Sequence, residues 1–239
     1  MNCDKLGRFG PTPTWRALLL PYLEQDPLWQ ETLKASSLDP YPNHNPPHVG
    51  AATVIRTFVC PSDSRLSQPL HDPKSGINAA YASYMAVRGS RPVFRDNPEN
   101  RGVFASYPNG TRIADIQDGT SNTLAVGERP PSASLEDGWW YSAMCPAGSS
   151  PENCRGPALG LTMELPAWPF SNGACSGPFF YGPGRLNNPC DRFHFWSLHS
   201  GGANFALADG SDRFISYQAR GIMAALATRA GGEIVAMPD

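Results

Sequence analysis

The sequence is poor in charge and lacks any long apolar run. Charged side chains make up 17% of the 239 residues and the formal net charge is −2, whereas globular proteins average about a quarter charged residues. A chain with no basic excess gives no reason to expect nucleic acid or an anionic membrane as a partner. No apolar stretch approaches the ~20 residues of a membrane helix, so we predict no membrane contact by this chain.

Motifs that mark a catalytic nucleophile are also absent from the sequence. There is no Gly-x-Ser-x-Gly turn to expose a serine, and no glycine-rich phosphate loop followed by lysine. Cys60 has no sequence sign of an activating partner, so a disulfide or a buried thiol is its expected role. The acidic pair Glu136-Asp137 is of a kind common on surfaces and does not indicate glycosidase chemistry. We therefore expect that the protein is not an enzyme.

Glycine and proline are the residues that the chain has in excess. It contains 23 Gly and 25 Pro without any period, which excludes collagen and predicts long ordered loops. Hydrophobic residues, at 41%, are sufficient for a core. No internal repeat and no second composition regime mark a boundary, so we predict a single domain over residues 1–239. A loop-rich, cysteine-containing insertion is predicted at 142–192.

The cysteines predict an oxidising compartment. Four of the six lie in the predicted insertion, at Cys145, Cys154, Cys175 and Cys190. A loop region cannot bury enough apolar surface alone, and disulfides are the usual remedy outside the cytosol. Cys145–Cys154 and Cys175–Cys190 are the predicted bridges, because each closes a short loop at modest entropic cost. The absence of a Cys-x-x-Cys pair disfavours structural zinc, so the protein is expected to be extracytoplasmic.

The order of predicted elements favours an α+β fold with a mostly antiparallel sheet. Residues 14–34 are predicted to be helical in two pieces, because Pro21 must kink or end the first piece. A short helix is predicted near the end, at 218–229. Between the two helical segments, apolar and β-branched runs predict strands at 53–59, 78–87, 123–128, 203–208 and 211–216.

The last two strands are predicted to form a hairpin. Asp209-Gly210 lies between two apolar runs, which is a strong signal for a two-residue type I′ turn. With that turn, Phe205 faces Phe214 across the ribbon. Phe205, Leu207 and Phe214 are then expected to share the side that faces the core.

His199 is the strongest candidate for a ligand contact. Gly201 and Gly202 follow it with little bulk, so another backbone or a ligand could lie close to them, and Asn204 and Asp209 belong to the same hairpin. The ordinary role of such a histidine is to bond a loop carbonyl and hold the entry of the hairpin. Contact with a ligand or metal is the alternative.

Aromatic side chains in and beside the insertion are the second candidate site. Trp139, Trp140 and Trp168 are the most prominent of them. If exposed, such rings could stack on sugars or contact a protein partner. If buried, they would form a small satellite core of the insertion.

The segment Asp115–Asn122 offers hard oxygen ligands for calcium. It lacks the spacing of an EF-hand loop and has no bidentate glutamate at the twelfth position. Asp118 followed by Gly119 is ordinary turn chemistry. No cofactor is therefore predicted, with calcium kept as the alternative.

A longer pattern around the hairpin resembles a known family. The pattern His-x-Gly-Gly-x-Asn-Phe-x-x-Ala-Asp-Gly-Ser spans residues 199–211, with its fixed positions at His199, Gly201, Gly202, Asn204, Asp209 and Gly210. It resembles the C-terminal signature of a large planctomycete family of prepilin-like proteins of unknown function, which is also labelled extracellular solute-binding. Four further segments match in order, at 15–25, 58–63, 113–128 and 225–233.

The resemblance implies a pilin-like head, with a helix laid across an antiparallel sheet. Its function would be that of an extracytoplasmic structural or interaction subunit that self-assembles or binds protein partners. An extracellular domain that binds a solute or carbohydrate through the aromatic-rich insertion is the alternative. Some pilin-like proteins hold calcium in a loop of the head. Family members usually begin with a prepilin leader and a long apolar helix, so we expect that an exporting and anchoring segment is missing here.

Overall fold

A computed structural model describes residues 12–39, 41–42, 44–73, 76–91, 101–104, 110–135, 137–143, 161–165, 175–233 and 235. The chain divides into two compact units. The first comprises Met1–Ser83 and Leu135–Leu159, and the second comprises Tyr84–Ser134 and Gly160–Asp239. The single domain expected from composition stays a prediction.

The first unit begins with two helical pieces. A 3-10 helix spans Ala17–Leu23 and contains Pro21, and helix α1 spans Asp26–Leu38. Glu24, with a left-handed φ of 57°, separates the pieces. A proline at the start of α1 fits there because the first turn needs no N–H from it. The two-piece helix predicted over 14–34 is therefore confirmed, with its break just beyond Pro21.

Short elements make up the rest of the first unit. Among its described residues, further 3-10 helices span Val49–Ala52, Arg56–Phe58 and Ser64–Ser67. Two small antiparallel pairs join Thr12–Pro13 to Ser142–Ala143 and Leu70–His71 to Asn78–Ala79. The larger of two apolar clusters contains Ala17, Leu20, Leu28, Ala51, Ile55, Phe58, Ala80, Ala82, Trp140 and Tyr141. The smaller contains Leu66, Ala79, Tyr81 and Trp139.

The strand predicted at 53–59 is wrong. The Phe58 N–H donates to the Ile55 carbonyl at 2.9 Å, which closes a 3-10 turn. Ile55 and Phe58 are both buried in the same cluster. A spacing of three residues brings both side chains to one side in a 3-10 helix, whereas it would separate them on a strand.

The second unit is built on a five-stranded sheet. Its strands are β1 (Tyr84–Gly89), β2 (Leu124–Glu128), β3 (Leu161–Thr162), β4 (Gly202–Leu207) and β5 (Asp212–Ser216). Their spatial order is β5-β4-β2-β1-β3, and every pair is antiparallel except β1 with β3. The α+β class and the mostly antiparallel sheet are therefore confirmed. The packing of the N-terminal helix on this sheet stays a prediction.

Strand boundaries agree with the prediction only in part. The strand predicted at 123–128 is present as β2. The segment 78–87 is not one strand, because Asn78–Ala79 pairs with Leu70–His71 and β1 begins only at Tyr84. The predicted C-terminal helix is present as a 3-10 helix, Tyr217–Ile222, followed by α2, Met223–Leu226.

The hairpin of β4 and β5 is present, but its register differs from the prediction. The Leu207 N–H donates to the Ser211 carbonyl at 2.8 Å, so the loop has three residues, 208–210. Phe205 therefore faces Arg213. Only Gly210 in this loop has a positive φ, 88°, which matches a three-residue turn with a left-handed last residue. The predicted two-residue type I′ turn is wrong.

This shift of one residue from the predicted register exchanges the two faces of β5. Phe214 faces Asn204 instead of Phe205 and is 50% exposed, while Ile215 is buried. The cause lies in the turn, where the Asp209 carboxylate accepts the Ser211 N–H at 2.9 Å and its hydroxyl at 2.6 Å. A short polar side chain that caps its own turn in this way favours the longer loop.

The core of the second unit lies on one face of the sheet. It contains Met85, Val87, Leu124, Met163, Tyr181, Phe195, Ala203, Phe205, Ile215, Met223, Leu226 and Ala227. At Gly127 a Cβ atom would lie 2.3 Å from the Phe205 ring, so only glycine fits there. Trp196 is also fully buried, and a Cβ at Gly184 would lie 2.3 Å from its ring.

The predicted insertion at 142–192 is not purely loop. Met163 and Tyr181 belong to the core of the second unit, and Glu164–Leu165 pairs with Phe179–Phe180. The Cys175–Cys190 disulfide is confirmed, with a Cα–Cα distance of 5.4 Å. Cys145 and Cys154 lie outside the described residues, so their bridge stays a prediction. Among the helices in the described ranges, none is long and apolar enough to cross a membrane.

Candidate functional site

A buried carboxylate lies at the end of strand β2. Glu128 is only 2% exposed, and it follows Gly127, whose missing side chain would point at the core. Glu128 therefore lies on the opposite face of the sheet. Asn204 on the neighbouring strand β4 donates to Glu128 Oε2 twice, from its backbone N–H at 2.7 Å and from Nδ2 at 3.1 Å. Donors of this kind offset the cost of burying a charged carboxylate.

His199 meets the other oxygen of this carboxylate. Its Nε2 lies 3.3 Å from Glu128 Oε1, and the imidazole side chain is 35% exposed. The sequence predicted a loop carbonyl as the ordinary partner of this ring, whereas the structure places a strand carboxylate beside it. We call Glu128, Asn204 and His199 the Glu128 cluster. It joins strands β2 and β4 to the loop that precedes β4.

Ser197 and Tyr217 hold that loop. The Ser197 hydroxyl donates to the Gly202 carbonyl at 3.0 Å and accepts the His199 backbone N–H at 2.9 Å. The Ser197 N–H donates to the Tyr217 hydroxyl at 3.1 Å. The Tyr217 pKa is raised above its usual value, mainly by burial. Hydrogen bonds with Ser197 act in the opposite direction and lower the pKa, whereas the nearby Glu128 charge raises it further. The phenol therefore remains a neutral hydrogen-bonding group around neutral pH.

The two glycines after His199 make room for backbone. A Cβ at Gly202 would lie 2.1 Å from the Ile215 carbonyl oxygen. Gly201 has a φ of 84°, and its carbonyl accepts the Tyr217 N–H at 2.9 Å. Of the two alternatives that the sequence left open, close approach of another backbone is the one seen, and that backbone is strand β5.

These contacts define what the Glu128 cluster can do chemically. An imidazole beside a carboxylate can exchange a proton or contribute two ligand atoms to a cation. A nucleophilic role for Ser197 would require its hydroxyl to donate to the ring of a base. It donates to the Gly202 carbonyl instead. The geometry is that of a group that fixes the entry of the hairpin.

Two of the three tryptophans predicted as ligand contacts, Trp139 and Trp140, lie in apolar clusters. Trp139 and Trp140 are both buried, and the Trp140 indole N–H donates to the Thr53 carbonyl at 2.9 Å. Neither ring therefore offers an open face to a sugar in this structure. Trp168 lies outside the described residues. The aromatic residues also do not form one satellite core, because Trp140 belongs to the first unit and Tyr181 to the second.

The acidic residues proposed as calcium ligands bind backbone N–H groups. Asp118 accepts from Gly231 and Gly232 at 2.8 and 2.9 Å, and Asp115 accepts from Arg112 at 2.8 Å. Asp118 also lines a cavity of about 300 Å³ together with Gln117, Asn122, Ala225, Leu226, Gly232, Glu233 and Val235. The Asp118 carboxylate thus joins the turn to the C-terminal segment, whereas that of Asp115 makes a local contact. Calcium binding stays a prediction.

Glu128, Ser197 and Tyr217 are residues that sequence reasoning missed as parts of the site. Glu128 and Tyr217 reach His199 or its loop from other parts of the chain. Ser197 lies only two residues from His199, but no sequence pattern marks it. The nearest signal is the position of Glu128 at the end of a strand that matched the resemblance. Its role depends on the pairing of β2 with β4, which the sequence does not reveal.

The fold and the site describe an α+β protein with a disulfide and a hairpin fixed by a buried carboxylate. The profile of a family described as protein of unknown function DUF1559, SBP_bac_10, matches residues 2–219. The chain therefore belongs to this family. Searches of curated proteins and of solved structures found no match.

Proposed function

We propose that this protein is a non-enzymatic, extracytoplasmic, pilin-like subunit that acts through contacts with other protein subunits. The observation that carries the proposal is an apolar surface on the 3-10 helix Ala17–Leu23. Ala17 and Leu20, three residues apart, are buried, whereas Leu18 is 53% and Tyr22 83% exposed, and Leu19 lies beside them at 37%. Exposed apolar side chains that lie this close together in a helix are typical of contact sites on soluble proteins.

The Cys175–Cys190 bridge supports the extracytoplasmic part of the proposal. Disulfides persist in oxidising compartments and are rare in the cytosol. Phe179 and Phe193 pack around the bridge in a small cluster of their own. Such a cluster depends on the covalent link more than a large core would.

The pilin-like part rests on the resemblance and on the element order. A helical N-terminal segment precedes a mostly antiparallel sheet, as that resemblance implies. The non-enzymatic part rests on the Glu128 cluster and on Ser197, whose carboxylate, amide and hydroxyl groups are used to fix the loop before β4. The alternative, binding of a solute or carbohydrate by the aromatic residues, is disfavoured by the burial of Trp139 and Trp140.

The proposal is tested with a photo-crosslinking amino acid at Tyr22 in cells that produce the protein. We expect cross-links to a protein subunit from position 22. The matched control is the same amino acid at Asn187, an exposed polar position in the second unit and outside β5, which should give none. Fractionation of the same cells checks the compartment. A protein that stays in the cytosol, or that gives no cross-link from position 22, overturns the proposal.

A further inference from the structure

Strand β5 lies at one edge of the five-stranded sheet. The Leu207 N–H donates to Ser211 and the Tyr217 N–H donates to Gly201, which shows that the odd-numbered residues of this segment bond to β4. In an antiparallel ladder the residues between them direct their N–H and C=O groups the other way. Asp212, Phe214 and Ser216 therefore point their backbone groups away from β4. Within the described ranges, no strand pairs with β5 on that side.

The usual protection of a strand edge is weak in β5. Edges are commonly blocked by proline, by a bulge or by charged side chains. Asp212–Ser216 contains no proline, its pairing with β4 has no register shift, and its charges lie at one end, at Asp212 and Arg213. A Cβ at Gly202 would lie 2.9 Å from Phe214 Cζ. The Phe214 ring thus leans over β4 and does not cover the outer edge of its own strand.

We propose that β5 pairs antiparallel with β5 of a second copy of this chain, across a two-fold axis at Phe214. A two-fold axis perpendicular to the sheet keeps each side chain on its own face. Even-numbered residues can therefore pair only with even-numbered residues of the second copy, and odd-numbered residues only with odd-numbered ones. A register with Asp212 opposite Asp212 of the second copy, or Arg213 opposite Arg213, would place like charges directly across the pair. Such contacts are destabilising.

The register centred on Phe214 avoids both clashes. It places Asp212 opposite Ser216 of the second copy and Arg213 opposite Ile215. All three residues with outward backbone groups then find partners, and the sheet continues across the two copies. The charges exclude the registers centred on Asp212 and Arg213, and the pairing of all three outward-facing residues selects the register centred on Phe214. This surface lies on the second unit and goes beyond the proposed function, whose contact surface is on the first.

Cysteine cross-linking tests the register directly. In the proposed dimer, residue 214 lies opposite its own copy at a Cα–Cα distance of about 5.5 Å, within the range of a disulfide. Phe214→Cys should therefore form a disulfide-linked dimer under mild oxidation. Ser216→Cys is the matched control, because its two copies lie four residues apart along the strands, about 13 Å, beyond that range. Cross-linking of both variants, or of neither, overturns the proposed register.

Sedimentation equilibrium of the unmodified protein and two variants tests the dimer itself. Phe214→Pro removes an N–H that points away from β4, so it should raise the dimer dissociation constant by more than about tenfold. Circular dichroism should show that the fold is retained. Tyr22→Lys, on the first unit, should leave this dimer unchanged. A monomeric unmodified protein, or loss of the dimer in Tyr22→Lys alone, overturns the proposal, and the second result would leave the proposed function standing.

Discussion

Replacement of His199 by alanine tests the role of the Glu128 cluster. The imidazole Nε2 lies 3.3 Å from a carboxylate that is 2% exposed, while the ring itself is 35% exposed. Removing a hydrogen-bond partner of a buried charged group lowers the free energy of unfolding by about 1.5–3 kcal/mol, and removing a hydrogen bond between neutral groups lowers it by about 1 kcal/mol. Water can reach a half-exposed ring position and replace part of the contact. We therefore expect that His199→Ala lowers the free energy of unfolding by about 1–2 kcal/mol.

The same argument gives a ranking among variants. Asn204→Ala removes only the Nδ2 donor, because the backbone N–H of residue 204 still bonds to Glu128. The lost Nδ2 donor, however, bonds to Glu128 Oε2, an oxygen with little water around it. The substitution should cost about 1.5–3 kcal/mol, as a hydrogen bond to a charged group. Ser200→Ala, an exposed neighbour of His199, should stay within about 0.5 kcal/mol of the unmodified protein.

Thermal melting measures these differences. For a chain of this size, about 1 kcal/mol corresponds to about 2–4 °C in Tm, so His199→Ala should melt about 2–8 °C lower. Melts are repeated with added divalent metal, where we expect no rise for either protein. An unchanged Tm for the apo variant, together with a metal-dependent rise in the unmodified protein alone, would show that His199 is a ligand contact and refute the reasoning.

Three further outcomes follow from the packing and are measured by chemical denaturation. Gly127→Ala should cost at least about 1–3 kcal/mol through overpacking, whereas Gly221→Ala, with open space around it, should cost little; equal effects would contradict the close approach. Ile215→Ala should lower the free energy of unfolding by about 2–5 kcal/mol as a core truncation, and Phe214→Ala by clearly less. The reverse order would support the register predicted from the sequence, in which Phe214 faces the core. Cys190→Ser should cost about 3 kcal/mol for a bridge with a sequence separation of 15, and reductant should destabilise the unmodified protein more than this variant.

Local patterns predicted much of the fold. The break near Pro21 and the Cys175–Cys190 bridge are set by residues close in sequence, where proline geometry and loop closure dominate. The position of the hairpin also follows from Gly210. Its register does not, because the side chain of Asp209 caps a three-residue turn, and dipeptide preference alone does not distinguish the two loop lengths.

Features set by distant contacts were harder to predict. The segment 53–59 has the composition of a strand, yet Ile55 and Phe58 contact the same cluster and form a 3-10 turn. The Glu128 cluster joins a strand end, a neighbouring strand and a loop, and only His199 and Asn204 carried a local signal. Trp139 and Trp140 gave no sequence sign that would separate an exposed platform from a core.

The distribution of tryptophan provides the protein with two internal optical reporters. Trp140 is fully buried in the first unit and Trp196 in the second. Indole emission shifts to longer wavelength when water reaches the ring. A variant whose only tryptophan is Trp140 or Trp196 therefore reports the opening of the unit that contains that residue. Coincident transitions of the two variants would indicate that the chain unfolds cooperatively as one domain, and separated transitions would assign an independent stability to each unit.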